Sequence, residues 1–213
     1  MGKLLLWVMV AIAGILGIAA IISSQNKPAQ NPYSDLANQP TVAPTQAVTP
    51  TPAQPLVPQN EWITNASSAA ITTARGEIDI QLYPADAPKT VTNFATLAKL
   101  GFYNGLTFHR VVAGFVIQGG DPNGNGTGGT SIYGPTFEDE LNPNTPSYKA
   151  GYLEGVVAMA NRGPNTNSSQ FFIMLADNAT LPKNYTIFGK VTSGMDVVKQ
   201  IQQGDKMLRI NIQ

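Results

Sequence analysis

Residues 108–121, FHRVVAGFVIQGGD, place one cation, the only histidine of the chain and an amide among large apolar residues. These polar residues are Arg110, His109 and Gln118, and the valine-rich sequence around them favours two strand pieces with a bend at Gly114. Because arginine is rarely buried without a partner, Arg110 either lines a concave, partly wet surface or reaches past the edge of the fold to solvent. An arginine on a concave surface could donate several hydrogen bonds to a substrate from a planar, permanently charged group.

The rest of the domain must position this stretch, and its pattern predicts many short strands and two helices. In residues 77–83 apolar and polar residues alternate, which is typical of a half-buried strand, and the turn at Arg75 and Gly76 predicts a hairpin. Further strands are expected at residues 70–73, 155–160, 170–175, 186–191 and 208–212, and helices at residues 88–98 and 195–203. Because strands and helices do not alternate regularly, the pattern indicates an all-β dominated domain built as a closed antiparallel barrel.

Composition excludes several kinds of chemistry. The 13 basic and 13 acidic residues cancel, so no overall charge would attract the protein to nucleic acid or acidic membranes. The chain has no cysteine, which excludes disulfides, thiol catalysis and cysteine metal sites.

Two other motifs suggest ligands that we reject. Gly124, Gly126 and Gly129 satisfy the GxGxxG pattern, but the following residues 130–135 cannot begin the helix that a dinucleotide site needs. The acidic residues 138–140 could be metal ligands. The chain offers no cysteine and only one histidine as further ligands, so a capped turn or a solvated loop is favoured over a metal site. We therefore expect no cofactor and no metal.

The N-terminal part has a different composition from the domain. Residues 4–22 are apolar and uncharged and would span roughly 30 Å as a helix, enough for one membrane crossing. Lys3 precedes them, which predicts a signal anchor in residues 1–22 with everything downstream outside the cytoplasmic membrane. The alternative is a cleaved signal peptide with a site near residues 17–20, which would leave a secreted protein. Residues 23–61, rich in Pro, Thr and Gln, are predicted to be a disordered linker.

Five motifs in this order resemble the cyclophilin family of peptidyl-prolyl cis-trans isomerases. They are FHRVVAGFVIQGGD, GNGTGG, FEDEL, MANRGPNTNSSQFFI and FGKV, and the resemblance covers residues 62–213. It implies a closed eight-stranded antiparallel β-barrel capped by two α-helices, with the active groove on the outer face. The anchor and the linker lie outside the resemblance.

The activity implied by this family fits the chemistry of the residues. Rotation about an X–Pro bond must break amide resonance, a barrier of about 18–20 kcal/mol, and needs no nucleophile or general base. An arginine can accelerate it by donating to the proline nitrogen only in the twisted state, where that nitrogen regains its lone pair.

The resemblance also assigns roles to individual residues. Arg110 is implied to be the catalytic donor, and Gln118 to orient it and contact the substrate. His109 is expected to be a structural, hydrogen-bonded neighbour of the site. The implied substrate-binding residues are Phe115, Val116, Ala160, Asn161, Gln170, Phe172, Leu181 and Tyr185. The rim of a second pocket is implied to comprise Arg162, Pro135 and Thr136.

Two departures from the family pattern affect specificity. Val116 stands where most relatives have methionine, which should loosen the pocket for the proline ring. Arg162 stands where relatives widely have alanine, and its charge predicts a modest preference for Asp or Glu shortly before the substrate proline.

Two classes of function remain open on the sequence. The first is an active, monomeric isomerase that binds proline-containing peptides and unfolded exported proteins outside the cytoplasmic membrane. The second is a non-catalytic proline-peptide binding or scaffold module on the same fold. Retention of Arg110, Phe115, Gln118 and Phe172 together favours the isomerase.

Overall fold

The computed structural model describes residues 57–213, which contain eight strands, three α-helices and one short 3-10 helix, Gln59–Glu61. The strands are β1 Ser68–Thr73, β2 Gly76–Leu82, β3 Arg110–Val112, β4 Val116–Gly119, β5 Val156–Met159, β6 Phe171–Met174, β7 Ile187–Ser193 and β8 Met207–Ile212. The helices are α1 Pro88–Lys99, α2 Pro146–Ala150 and α3 Met195–Gln200. The predicted anchor at residues 4–22 and most of the predicted linker lie outside the described residues.

All eight strands form one antiparallel sheet in the order β3-β4-β6-β5-β7-β2-β1-β8. The predicted hairpin at Arg75 and Gly76 joins β1 to β2, and Thr73 pairs with Gly76 at its end. Within β2, Ile78, Ile80 and Leu82 are buried and the residues between them are more exposed, as the alternation predicts. The second hairpin joins β3 to β4 and bends at Gly114, whose φ of 71° suits a residue without a side chain.

The expectation of a closed barrel is wrong, because β3 and β8 lie at the two edges of the sheet without a ladder between them. β8 instead contacts the irregular segment before β3, through the isolated bridge between Thr107 and Lys206. The amide of Met207 also donates to the carbonyl of Leu106 over 2.9 Å. Since β3 begins only at Arg110, these contacts do not continue into a strand pair, and the sheet is an open, strongly curved half-barrel.

Both faces of the sheet are buried in its β4, β5 and β6 region. Ile117, Phe171 and Ile173 belong to the main core, whereas the alternate residues Val116 and Phe172 belong to a second apolar cluster. Successive side chains of a strand point to opposite faces, so the two clusters lie on opposite sides of the sheet. This explains why these strands read as continuous apolar runs.

The expectation of two helices is also wrong, because the structure has a third, α2, of five residues. A helix of this length spans little more than one turn and leaves no periodic apolar pattern to detect. The helix predicted at residues 88–98 is α1, with Pro88 in its first turn. The helix predicted at residues 195–203 ends earlier than expected, at Gln200.

The described part of the chain begins ahead of the boundary expected at Trp62. Val57 is buried in the main core, and its carbonyl accepts a hydrogen bond of 3.1 Å from the indole nitrogen of Trp62. The amide of Ile63 donates to Thr96 Oγ1 of α1 over 2.9 Å. Within residues 57–213 no helix is both long and apolar enough to cross a membrane.

Candidate active site

Arg110 and Gln118 are the first residue of β3 and the third residue of β4, and they are paired directly across the antiparallel ladder. Directly opposite residues project from the same face of an antiparallel pair, so both side chains share one surface. The guanidinium carbon of Arg110 lies 5.7 Å from the centroid of the Phe115 ring. All three side chains are half-buried, as expected for a partly wet surface.

Gln118 is held by a second amide. Its Nε2 donates to Oε1 of Gln170 over 2.9 Å, and Nε2 of Gln170 donates to the carbonyls of Gly126 and Gly128 over 3.1 and 2.7 Å. Gln170 is only 5% exposed. The glycine-rich loop therefore supports the position of Gln118 through a buried side chain.

The base of this loop is fixed by Asp121, whose carboxylate is buried. It accepts hydrogen bonds from the amides of Asn123, Asn125 and Gly126 over 2.8, 3.0 and 2.6 Å. Three backbone donors compensate the burial of this negative charge. The loop is thus a structured turn around a carboxylate.

The second apolar cluster lies next to Arg110 and contains most of the pocket residues predicted from the resemblance. Val116, Phe172 and Leu181 are buried in it, and Phe115, Ala160 and Tyr185 pack against it half-buried. Such a surface, with buried and half-buried apolar side chains beside a cation, suits a small apolar ring attached to a polar backbone.

Aromatic contacts set the shape of the cluster. The rings of Phe172 and Tyr185 meet edge to face with centroids 5.5 Å apart, and Tyr152 lies 6.2 Å from Tyr185. The Tyr152 hydroxyl donates to the carbonyl of Tyr185 over 2.9 Å and accepts from its amide over 3.0 Å. Sequence reasoning missed Tyr152, since no local motif links it to Tyr185, 33 residues away.

The tyrosine hydroxyls remain protonated at neutral pH. Burial raises the pKa of Tyr152 to about 12. Burial also raises the pKa of Tyr185, and the positive charge of Arg110 opposes this rise.

Asn161 lies at the edge of this surface, half-buried. Its Nδ2 donates to the carbonyl of Asn184 over 2.8 Å and contacts Oδ1 of Asp139 at 3.4 Å. Its neighbour Ala160 donates from its amide to the carbonyl of Gln170 over 3.0 Å. The segment is therefore anchored on both sides while it passes the apolar cluster.

His109 does not have the hydrogen-bonded role expected for it. Both ring nitrogens are buried and, within the described residues, have no hydrogen-bond partner. A side-chain carbon added at Gly126 would lie 4.0 Å from Nε2, so the ring packs against the glycine-rich loop. Burial lowers the pKa of His109, with Asp121 opposing and Arg110 adding to the shift.

The three residues expected to form a rim are exposed, but Arg162 is not directed simply into solvent. Its Nη2 contacts the carbonyls of Gly126, Thr127 and Gly128. Pro135 and Thr136 precede Phe137, which bridges to Asn167.

Within residues 57–213 no cluster of three histidine, cysteine or acidic side chains could hold a metal ion.

Comparisons with known proteins identify the same family as the sequence motifs. The sequence model of the family "Cyclophilin type peptidyl-prolyl cis-trans isomerase/CLD" matches residues 68–212. The chain therefore belongs to the cyclophilin family of peptidyl-prolyl cis-trans isomerases, and the resemblance seen in its motifs is confirmed.

The names of curated relatives also include peptidyl-prolyl cis-trans isomerase. Peptidyl-prolyl cis-trans isomerase-like 1 of Aspergillus niger is 52% identical over 136 residues, which are 64% of this chain and 82% of the relative. Peptidyl-prolyl cis-trans isomerase ppi1 of Schizosaccharomyces pombe is 53% identical over 135 residues, 63% of this chain and 84% of the relative. The enzyme class expected from the sequence is thereby confirmed.

Solved structures agree. A cyclophilin type peptidyl-prolyl cis-trans isomerase of Cryptosporidium parvum matches with a TM-score of 0.64 and 34% identity, over 70% of this chain and 98% of that one. A crystal structure of such an isomerase from the same organism in the presence of the dipeptide Ala-Pro matches with a TM-score of 0.63 and 34% identity, over 68% and 98% of the chains.

Proposed function

We propose that this protein catalyses rotation about X–Pro peptide bonds on the surface formed by Arg110 and the second apolar cluster, and that it serves exported proteins outside the cytoplasmic membrane. The observation that carries the catalytic part is the position of a half-buried guanidinium, backed by a paired amide, beside a buried apolar surface. The presence of Ala-Pro in the relative's crystal structure supports a proline-containing substrate.

In the proposed mechanism the proline ring binds against Phe115, Phe172 and Leu181. Burial of a ring of this size would contribute on the order of 1–2 kcal/mol and keep the proline side of the bond still. The acyl side then turns, while Asn161 and its neighbours pair with the peptide chain.

Arg110 would act when the bond is twisted. The nitrogen then regains its lone pair and can accept a hydrogen bond from the guanidinium, which remains charged throughout. Because the planar amide offers no such lone pair, the interaction stabilises the twisted state selectively and lowers the barrier. The partly enclosed setting strengthens it relative to bulk water.

The N-terminal sequence supports the proposed location. Residues 4–22 are apolar over the length of a membrane crossing, and Lys3 favours a cytoplasmic N-terminus. The following proline-rich segment would then act as a spacer that holds a monomeric domain away from the membrane. Cleavage after the apolar segment would give a secreted enzyme with the same domain.

The competing function is a non-catalytic proline-peptide module. It retains the apolar pocket and the groove but gains nothing from an arginine that acts only in the twisted state. The presence of the full Arg110, Gln118 and Gln170 arrangement favours the enzyme.

The test of catalysis is two-dimensional NMR exchange on a short Ala-Pro-containing peptide, with residues 57–213 present at substoichiometric concentration. Exchange between cis and trans signals on a timescale of milliseconds supports the enzyme, because the uncatalysed step takes tens of seconds or more. Peptide binding without accelerated exchange would identify the binding module.

The test of location is protease treatment of intact cells or spheroplasts that express the full chain. Release of a fragment of about 150 residues, a typical domain size, supports an external domain on a tether. Protection of the domain until the cells are lysed would contradict the proposed location.

A further inference from the structure

Arg162 forms a long-range contact that its sequence position does not suggest. It lies two residues after Ala160, which packs against the second apolar cluster. Its Nη2 nevertheless donates to the carbonyl of Thr127, 35 residues earlier in the sequence, over 2.5 Å. The same nitrogen lies 3.3 Å from the carbonyl oxygen of Gly128 and 3.4 Å from that of Gly126. One amino group thus sits at the centre of three carbonyls that converge in a single turn.

Gln170 approaches two of the same carbonyls with its own Nε2, at 3.1 Å from Gly126 and 2.7 Å from Gly128. The turn is therefore held by an exposed cation and by a buried amide. Hydrogen bonds from a charged donor are shorter and roughly twice as strong as those between neutral groups.

The turn decides which way the amide of Gln170 faces. Carbonyls accept and cannot donate, so the amide nitrogen of Gln170 must face Gly126 and Gly128, and its oxygen must face Gln118. That oxygen then fixes the amide nitrogen of Gln118. The amide oxygen of Gln118 is thereby left to accept hydrogen bonds on the surface that it shares with Arg110.

The turn itself needs support. Gly124, Gly126 and Gly129 all have φ between 65° and 118°, and glycine loses more conformational freedom on ordering than any other residue. Asp121 fixes the start of the loop through three amides but makes no bond to Gly128 or Gly129. Arg162 and Gln170 supply the donors for the carbonyls of Gly126 and Gly128, and the carbonyl of Thr127 accepts from Arg162.

From these contacts we infer that Arg162 is a positioning residue for the isomerase reaction: it holds the turn 126–128, which orients Gln170 and, through it, Gln118 opposite Arg110. The inference rests on the proposed function. It is an alternative to the expectation that the Arg162 charge selects acidic peptides, and it is argued from the contacts of Nη2 with the loop carbonyls.

The two possible roles of Arg162, selecting substrate and positioning the turn, predict different effects of substrate charge and of salt on the kinetic parameters. A charge that selects substrate raises kcat/KM for a peptide with Asp two residues before the proline over one with Lys, and added salt weakens the effect. A positioning role acts through Gln170 and Gln118 and not through the charge of the substrate side chain, so it changes kcat to a similar extent for both peptides and persists in salt.

The experiment compares wild type, Arg162→Ala and Arg162→Lys on the Asp and Lys peptides at low and high salt. The control is Arg209→Ala, which removes an exposed arginine from β8, at the other end of the sheet order from β4. We expect Arg162→Ala to lower kcat roughly threefold to tenfold for both peptides, the effect of losing one charge-assisted hydrogen bond in an exposed setting. Arg162→Lys should recover part of the loss, and Arg209→Ala should match wild type.

NMR of the side-chain amides provides a readout that does not depend on activity. In Arg162→Ala the NH₂ signals of Gln118 and Gln170 should shift or broaden, and in Arg209→Ala they should stay in place. A loss confined to the Asp peptide and removed by salt, or a kcat equal to that of wild type, would overturn the positioning role. If wild type itself is inactive, the proposed function fails, and unchanged Gln118 signals in Arg162→Ala would then refute the positioning role separately.

Discussion

Arg110 and Gln118 face each other across one rung of the β3–β4 hairpin, 8 residues apart in sequence and directly opposite in register. The hairpin therefore places both side chains on one face of the sheet. Gln170, which directly precedes β6, accepts a hydrogen bond from the Gln118 amide and holds it in place. The proposed catalytic pair is thus a local structure with a long-range support.

Gln118→Leu tests whether this amide contributes to the reaction. The substitution removes a donor from the buried Oε1 of Gln170 and an acceptor from the groove, so we expect kcat/KM to fall roughly tenfold to hundredfold. The matched control is Gln81→Leu, the same substitution at an exposed position of β2. Steady-state isomerase assays on both variants check this, and equal rates for the two would exclude a role for Gln118.

His109 predicts a pH dependence of stability. Its pKa is lowered in the folded protein, chiefly by burial, so the unfolded chain takes up the proton first as the pH falls below about 6.5. The free energy of unfolding is therefore level above that pH and decreases as the pH falls toward the lowered pKa.

Thermal unfolding of wild type and His109→Gln between about pH 7.5 and about pH 5 measures this effect. His109 is the only histidine in the chain, so no other imidazole contributes. The variant should lose less stability across this interval than wild type. Parallel decreases in Tm would show that His109 is not the group responsible.

Local patterns predicted the parts of this domain that depend on neighbours in sequence. The β1–β2 hairpin follows from alternation and a glycine turn, and the bend at Gly114 from a glycine between two valine-rich pieces. The five motifs were sufficient to indicate the family, and six of the eight expected pocket residues belong to one cluster or pack against it. The catalytic roles of these residues stay predictions.

The parts that could not be predicted depend on contacts between distant segments. Arg162 contacts the glycine-rich loop, which lies 34 to 36 residues earlier in the sequence. No local pattern of residue types indicates a contact between segments so far apart. The open edge between β3 and β8 depends on where an irregular segment replaces a strand. His109 was expected to be hydrogen-bonded, but within residues 57–213 no protein group bonds to its ring nitrogens, and its sequence neighbours do not reveal this.

The contacts of Trp62 predict that residues before position 68, where the family match begins, contribute to the stability of the domain. Its ring meets Tyr133 edge to face at 5.0 Å, and its indole nitrogen bonds to Val57. Since the ring is only partly buried, Trp62→Ala should lower the free energy of unfolding by about 2 kcal/mol, less than a fully buried tryptophan would. Truncation to residues 68–213 should cost more.

Urea unfolding of these proteins measures the difference. Leu208→Ala, at an exposed leucine of β8, is the control and should change stability by less than about 0.5 kcal/mol. Because Trp62 is not among the residues placed in the site, the folded variant should retain the wild-type kcat. A truncated protein as stable as residues 57–213 would show that the segment ahead of β1 contributes nothing.

The cis–trans exchange rate of an X–Pro peptide with Arg110→Ala tests the central claim most directly. The variant should remain folded by circular dichroism, bind the peptide within about threefold of wild type, and catalyse exchange roughly a hundredfold more slowly, because only the stabilisation of the twisted state is lost. Arg209→Ala, which also removes one positive charge, should exchange the peptide at the wild-type rate. A folded Arg110→Ala protein that catalyses exchange as fast as wild type would contradict the assignment of Arg110.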